Sequence, residues 1–192
     1  MGRLQEFDEA TVLTAAMHAF RRLGYGGVSI KILEAETGLS SGSLYNSFGG
    51  KDGIFERAMA HYNDTVVDKR IREHLTGRPP LAGLVALFES LLDEPDDQAF
   101  GCLLSNASIE FAGQEALAAP GIRSGFDRFL AAFAASLRGT PGRDEDEVAR
   151  LSLRLLTYYQ GLLVLIRHGY EKAALRRTIK AELQAILGDE GS

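Results

Sequence analysis

Apolar residues recur at helical spacing along almost the whole chain, and no strand-like alternation persists anywhere. The first helix is expected over residues 8–23, with Leu13, Ala16, Met17 and Phe20 on one face and Gly24 as its stop. Ser29 can cap a short second helix ending near Thr37, after which Gly38 offers the left-handed turn conformation. Ser40 caps a third helix ending near Phe48. Gly49 and Gly50 break the chain, and Lys51 opens a longer fourth helix lined by Ile54, Phe55, Ala58, Met59, Tyr62 and Val66. Gly77, Arg78, Pro79 and Pro80 give linker-like punctuation. Further helices are expected near 81–93, 102–112, 122–138, 145–168 and 171–187, and the acidic residues from Asp144 to Glu147 suit the start of the fourth of these. The pattern predicts an all-α fold of about nine helices in two lobes.

Composition narrows the class. Of 192 residues, 45% are hydrophobic and 24% charged, as in a soluble globular protein rather than a disordered or membrane chain. The longest apolar stretch, 155–166, is interrupted by Thr157, Gln160 and Gly161 and falls short of the roughly 18 apolar residues of a membrane span. No export leader is recognisable at the N-terminus. The lone cysteine, Cys102, allows no intramolecular disulfide and suits a reducing cytoplasm. The net charge of −5 is unevenly spread: residues 1–78 hold ten basic and ten acidic side chains, and residues 79–192 hold eleven and sixteen. A neutral first part permits contact with DNA phosphates without demanding it.

Between Ser29 and Phe48, two short helices meeting at Gly38 and Leu39 suit a DNA-binding helix-turn-helix, whose second helix enters the major groove. Leu44 and Phe48 would face the core, leaving Ser41, Gly42, Ser43, Tyr45 and Asn46 to point outward. Asn can pair with adenine through two bonds, and Lys51 would reach a phosphate. On spacing alone, an ordinary helical hairpin with a solvated polar face fits as well. An enzyme is disfavoured: the four histidines show no metal spacing, and Gly50-Lys51 lacks the rest of a phosphate loop. No cofactor or metal is expected.

The stretch GLSSGSLYNSFGGKDGIFERAM, residues 38–59, resembles the signature of the TetR family of bacterial regulators. Gly2-Arg3, Glu6-Phe7-Asp8, Ala15-Ala16, Phe20 and Gly24-Tyr25 match as well, so the specific resemblance covers about the first 60 residues. By position it implies that Ser41, Ser43, Asn46 and Ser47 face the groove, and that Tyr45 and Lys51 contact phosphates. It places Ser29 and Lys31 where the second helix meets the DNA backbone and Arg3 in an N-terminal arm. Glu34 departs from the family's usual Ala, so it either reaches outward or changes how the two helices cross. The resemblance divides the chain into a helix-turn-helix domain (1–50), a connecting helix (51–78) and an effector-binding and dimerisation domain (79–192). It implies a cytoplasmic homodimer, most simply a repressor released from a palindromic double-stranded operator by a small molecule.

In the second lobe, the helix over 145–168 is apolar around most of its circumference, while the one over 171–187 carries a single stripe. Leu155, Tyr159, Leu162 and Ile166 with Leu175, Ile179, Leu183 and Ile186 are the expected dimer interface; a monomeric bundle centred on the first helix is the alternative. Phe88, Phe126, Phe129, Tyr158 and Tyr159 offer aromatic surface for an effector, although such residues are usually core. Cys102, Asn106 and Glu110 fall at i, i+4 and i+8, which would place them on one cavity wall, with Asn106 and Glu110 orienting the ligand. The GCLLSN run that contains Cys102 is similar to a motif in some thiol-sensing members, which raises Cys102 as an electrophile or oxidant sensor. A helical interaction protein without sequence-specific DNA binding remains the rival from another class.

Overall fold

The structure, a computed structural model, describes residues 7–93, 100–111, 117–138 and 142–188. It divides into two compact units, Met1–Val66 with Leu103–Arg123, and Val67–Cys102 with Ser124–Ser192.

The first unit contains α1 (Glu9–Gly27), α2 (Ile30–Thr37), α3 (Ser41–Phe48), α4 (Lys51–Tyr62) and, from much later in the chain, α7 (Leu103–Glu110). Asp8 opens α1 by accepting a hydrogen bond from Thr11 N at 3.2 Å. The face Val12, Leu13, Ala16, Met17, Ala19 and Phe20 is buried, as are Ile54, Phe55, Ala58 and Met59 of α4, which packs on α1. Phe20 and Phe55 meet edge to face at 4.9 Å with almost no exposed surface, each burial contributing about 1.5–3 kcal/mol. The expected stop at Gly24 is a kink instead: Gly24 is non-helical (φ 73°, ψ 169°) and one further turn follows to Gly27.

The long fourth helix of the sequence reading is one helical run in three parts: α4, a π-helical turn at Asn63–Val67, and α5 (Asp68–Leu75). Asn63, 1% exposed, donates from Nδ2 to Gly121 O at 2.9 Å. Counting that run once, the described residues hold nine helices and no strand.

The second unit contains α5, α6 (Pro80–Glu89), most of α8 (Ala119–Arg138), α9 (Glu145–Arg167) and α10 (Lys172–Leu187). Pro80 at the first position of α6 needs no hydrogen-bond donor, and Asp144 caps α9 by accepting from Glu147 N at 2.8 Å. Leu84, Leu87 and Phe88 of α6, Phe129 and Phe133 of α8, Leu151, Leu155 and Tyr159 of α9, and Ile179 and Leu183 of α10 make its core. No helix of the described residues is long and apolar enough to cross a membrane.

Candidate nucleic-acid interface

Each end of the two short helices is fixed by its own local chemistry. Ser29 caps α2, accepting from Ile32 N at 3.3 Å; Ser40 caps α3, accepting from Ser43 N at 3.2 Å. Gly38 (φ 73°, ψ 3°) and Gly49 (φ 77°, ψ 8°) close the two helices in the left-handed conformation that glycine adopts without steric cost. Leu33 and Leu44 are fully buried, and Leu39 and Phe48 nearly so. These anchors fix which face of α3 turns outward.

Along that face Gly42, Tyr45 and Asn46 are exposed, Tyr45 to 57%, and Ser41, Ser43 and Ser47 are partly exposed. Ser29 and Lys31 are exposed at the start of α2. Arg3 lies outside the described residues. A Cβ at Gly50 would come within 2.8 Å of the Tyr45 ring, so the bare glycine lets that ring lie against the backbone. Gly53 is tighter still, because a Cβ there would sit 1.7 Å from the Phe48 carbonyl oxygen. α4 therefore leaves α3 at a contact only glycine permits.

Two features were not visible in the sequence. The Glu34 carboxylate accepts a hydrogen bond from Ser41 N at 2.6 Å, so this residue of α2 caps α3. The second is a cluster centred on Tyr25. Its hydroxyl donates to Asp52, its ring packs on Phe55 (5.1 Å) and Phe111 (4.9 Å), and the Lys51 ammonium lies 4.0 Å from the ring centroid. Burial foremost, then the Asp52 bond and charge and the Glu110 charge, pushes the Tyr25 phenol up to about 12. Lys51, expected to reach a phosphate, here lies over an aromatic ring one helix away from α3.

Glu110 completes that cluster and corrects an expectation. Its carboxylate accepts from Tyr25 N at 2.7 Å and from Gly26 N, and Asn106 donates from Nδ2 to Arg21 O at 3.3 Å. Both side chains are engaged with the α1 backbone, not with a cavity, because the chain just past the Gly24 kink has unpaired N–H groups that a carboxylate satisfies well. Cys102 is buried at 3% exposure.

The expected dimer interface is also corrected. Leu155, Tyr159, Leu162, Ile166, Leu175, Ile179, Leu183 and Ile186 are all buried inside the single chain, at 9% exposure or less. A helix apolar all round gives most of that surface to its own lobe. What α9 leaves outside is a narrower stripe of Leu153 (59%), Thr157, Gly161 and Val164 (48%). Of the aromatic residues, Phe88, Phe129 and Tyr159 are buried and packed together, with Phe88 to Tyr159 at 5.4 Å and Phe129 to Tyr159 at 4.8 Å. Tyr158 stacks on Phe88 at 5.4 Å, and Phe126 is half-buried. A groove of 430 Å³ lies elsewhere, between Leu130, Ala131 and Ala134 of α8 and Val148, Ala149 and Leu153 of α9.

The fold and this site define an all-helical protein that carries a helix-turn-helix in its first unit. Residues 12–58 match the family model described as "Bacterial regulatory proteins, tetR family". The segment that contains the helix-turn-helix is thus similar to that family. It is 30% identical over 113 residues to the uncharacterised HTH-type transcriptional regulator YezE of Bacillus subtilis, covering 57% of this chain and 58% of that one. It is 29% identical over 109 residues to the HTH-type transcriptional repressor ComR of Escherichia coli, covering 55% and 51%. The chain thus matches a little over half the length of each of these two relatives. Among solved structures, a cysteine-substituted variant of the TetR-family regulator CifR, complexed with 26-bp double-strand operator DNA, superposes with a TM-score of 0.83 at 24% identity. That match covers 96% of this chain and 99% of CifR, and it establishes the shared fold.

Proposed function

We propose that the protein is a dimeric transcriptional repressor that binds a palindromic operator through α3 and is released from it by a small molecule. The observation that carries this reading is the α2–α3 pair. Both helices are capped at both ends, and the exposed face of α3 offers Gly42, Tyr45 and Asn46 with Ser41, Ser43 and Ser47 beside them. A rigid helix with small residues at its start and hydrogen-bonding groups beyond is what groove recognition needs. Tyr45 and Lys51 are proposed phosphate contacts, as are Ser29 and Lys31 at the start of α2, with Arg3 in the arm. Both relatives are named as regulators of transcription, ComR as a repressor, and the CifR complex holds operator DNA in the same fold.

Dimerisation is assigned to the exposed Leu153, Thr157, Gly161 and Val164 stripe, where a second copy would cover apolar surface that a lone chain leaves wet. The effector is proposed to be a largely apolar small molecule recognised by the Phe88, Phe126, Phe129, Tyr158 and Tyr159 group. The burial of Cys102 gives no support to thiol sensing. Such a regulator works in the cytoplasm.

Selection of bound duplexes from a random pool tests the reading. A palindromic consensus is expected, with affinity falling steeply as salt rises. Enrichment of nothing by purified protein would overturn it in favour of a helical interaction protein.

A further inference from the structure

The start of a recognition helix is ordinarily an attractive place for a phosphate: its first N–H groups lack intrahelical partners and its dipole end is positive. In this protein two of those N–H groups are already held from within. Ser40 Oγ holds Ser43 N at 3.2 Å, and the Glu34 carboxylate holds Ser41 N at 2.6 Å. The same Glu34 closes α2, since its carbonyl accepts the N–H of Gly38 at 3.0 Å. One residue therefore ends the first helix of the motif and begins the second.

We propose that Glu34 is a specificity-determining residue, which fixes the start of α3 through Ser41 N and sets a negative charge where α3 approaches DNA. The inference rests on the DNA-binding reading given above. Two consequences follow from the chemistry. With Ser41 N committed to a carboxylate, a phosphate gains nothing from that donor, and it meets a like charge nearby. The penalty falls on every duplex, so sequence-independent attraction is reduced. Contacts from Tyr45, Asn46 and the α3 serines to base edges are then needed to hold the complex, and they form only on the right sequence. The balanced charge of residues 1–78, ten basic against ten acidic, is consistent with a domain that does not rely on bulk attraction.

The test compares wild type, Glu34→Gln and Glu34→Ala by fluorescence anisotropy. The probes are the duplex that wild type selects from a random pool and a shuffled duplex of equal length, each across a salt series. The Gln amide oxygen can still accept from Ser41 N, so Glu34→Gln removes the charge and keeps the cap. It should bind both duplexes about three- to tenfold more tightly at low salt, counting one residue from each subunit, with the selected-to-shuffled ratio unchanged. Glu34→Ala should show the same gain on shuffled DNA and lose affinity for the selected duplex as α3 loses its anchor. Glu34→Gln binding both duplexes no more tightly than wild type, or Glu34→Ala keeping the wild-type selected-to-shuffled ratio, would overturn the proposal. If wild type enriches no duplex at all, the DNA-binding reading itself fails and the proposal falls with it.

Discussion

Replacing Glu110 by Gln is expected to destabilise the first unit by at least half as much as replacing it by Ala. The carboxylate accepts from two successive N–H groups, Tyr25 N at 2.7 Å and Gly26 N. An amide offers one acceptor and turns an NH₂ donor toward the other N–H, so at most one bond survives. Hydrogen bonds to charged groups contribute about 1.5–3 kcal/mol when buried. Glu110 is exposed, so solvent competition brings each nearer to about 0.5–1 kcal/mol. Glu110→Ala should then cost about 1–2 kcal/mol in total, and Glu110→Gln at least half of that. Helix propensity does not explain such a loss, since Ala is the better helix former. For a chain of this length, 1 kcal/mol lowers the melting temperature by about 2–4 °C. Calorimetry with urea titration of the three proteins measures it, and Glu110→Asp should fall between them, its shorter stem reaching one N–H only. Glu110→Gln melting at the wild-type temperature while Glu110→Ala melts lower would refute the two-acceptor argument.

Tyr45→Ala should leave the melting temperature unchanged, because the ring is 57% exposed, while weakening operator binding at least tenfold by anisotropy. Gly53→Ala should cost about 3 kcal/mol, since its Cβ would lie 1.7 Å from the Phe48 carbonyl oxygen and no flexible side chain can yield; a native-like urea midpoint would contradict it. The Tyr25 phenol is raised to about 12 in the folded state against about 10 unfolded, so stability is intact below pH 10 and falls as pH rises toward 12. Urea midpoints across that range should slope downward, and Tyr25→Phe should flatten the slope. Leu153→Glu combined with Val164→Glu should give a folded monomer by analytical ultracentrifugation; a dimer that persists would move the interface elsewhere on the chain.

The helix-turn-helix was legible because its determinants are local. Ser29, Gly38, Ser40 and Gly49 each act on residues within four positions, so the caps and turns could be placed from sequence and lie where expected. The two-sided character of α9 was not legible. Leu155 and Leu153 look alike in a sequence, yet one is fully buried and the other 59% exposed, and only packing within the folded lobe decides between them. Asn106 and Glu110 were correctly placed on one helix face, but what that face meets is α1, some 85 residues earlier in the chain. No helical periodicity encodes such a partner. Glu34 is intermediate: its departure from the family pattern was visible, whereas its bond to Ser41 N required the angle of the turn. The π-turn at Asn63–Val67 has no compositional signature and coincides with the bond from Asn63 to Gly121.

The first unit is assembled from two stretches of chain, Met1–Val66 and Leu103–Arg123, and this bears on how it is born. A ribosome extends a chain at about 5–20 residues per second. When Val66 has emerged, α1 to α4 can form, but the N–H groups of Tyr25 and Gly26 still lack the carboxylate they hold in the finished protein. Another 44 residues must follow before Glu110 arrives, a delay of about 2–9 s at that rate. During that interval the nascent helix-turn-helix exists with the Phe55 and Tyr25 rings not yet covered by Phe111. Completion of the first unit thus waits on synthesis of a segment well beyond its helix-turn-helix, and a half-made chain does not yet carry the finished unit.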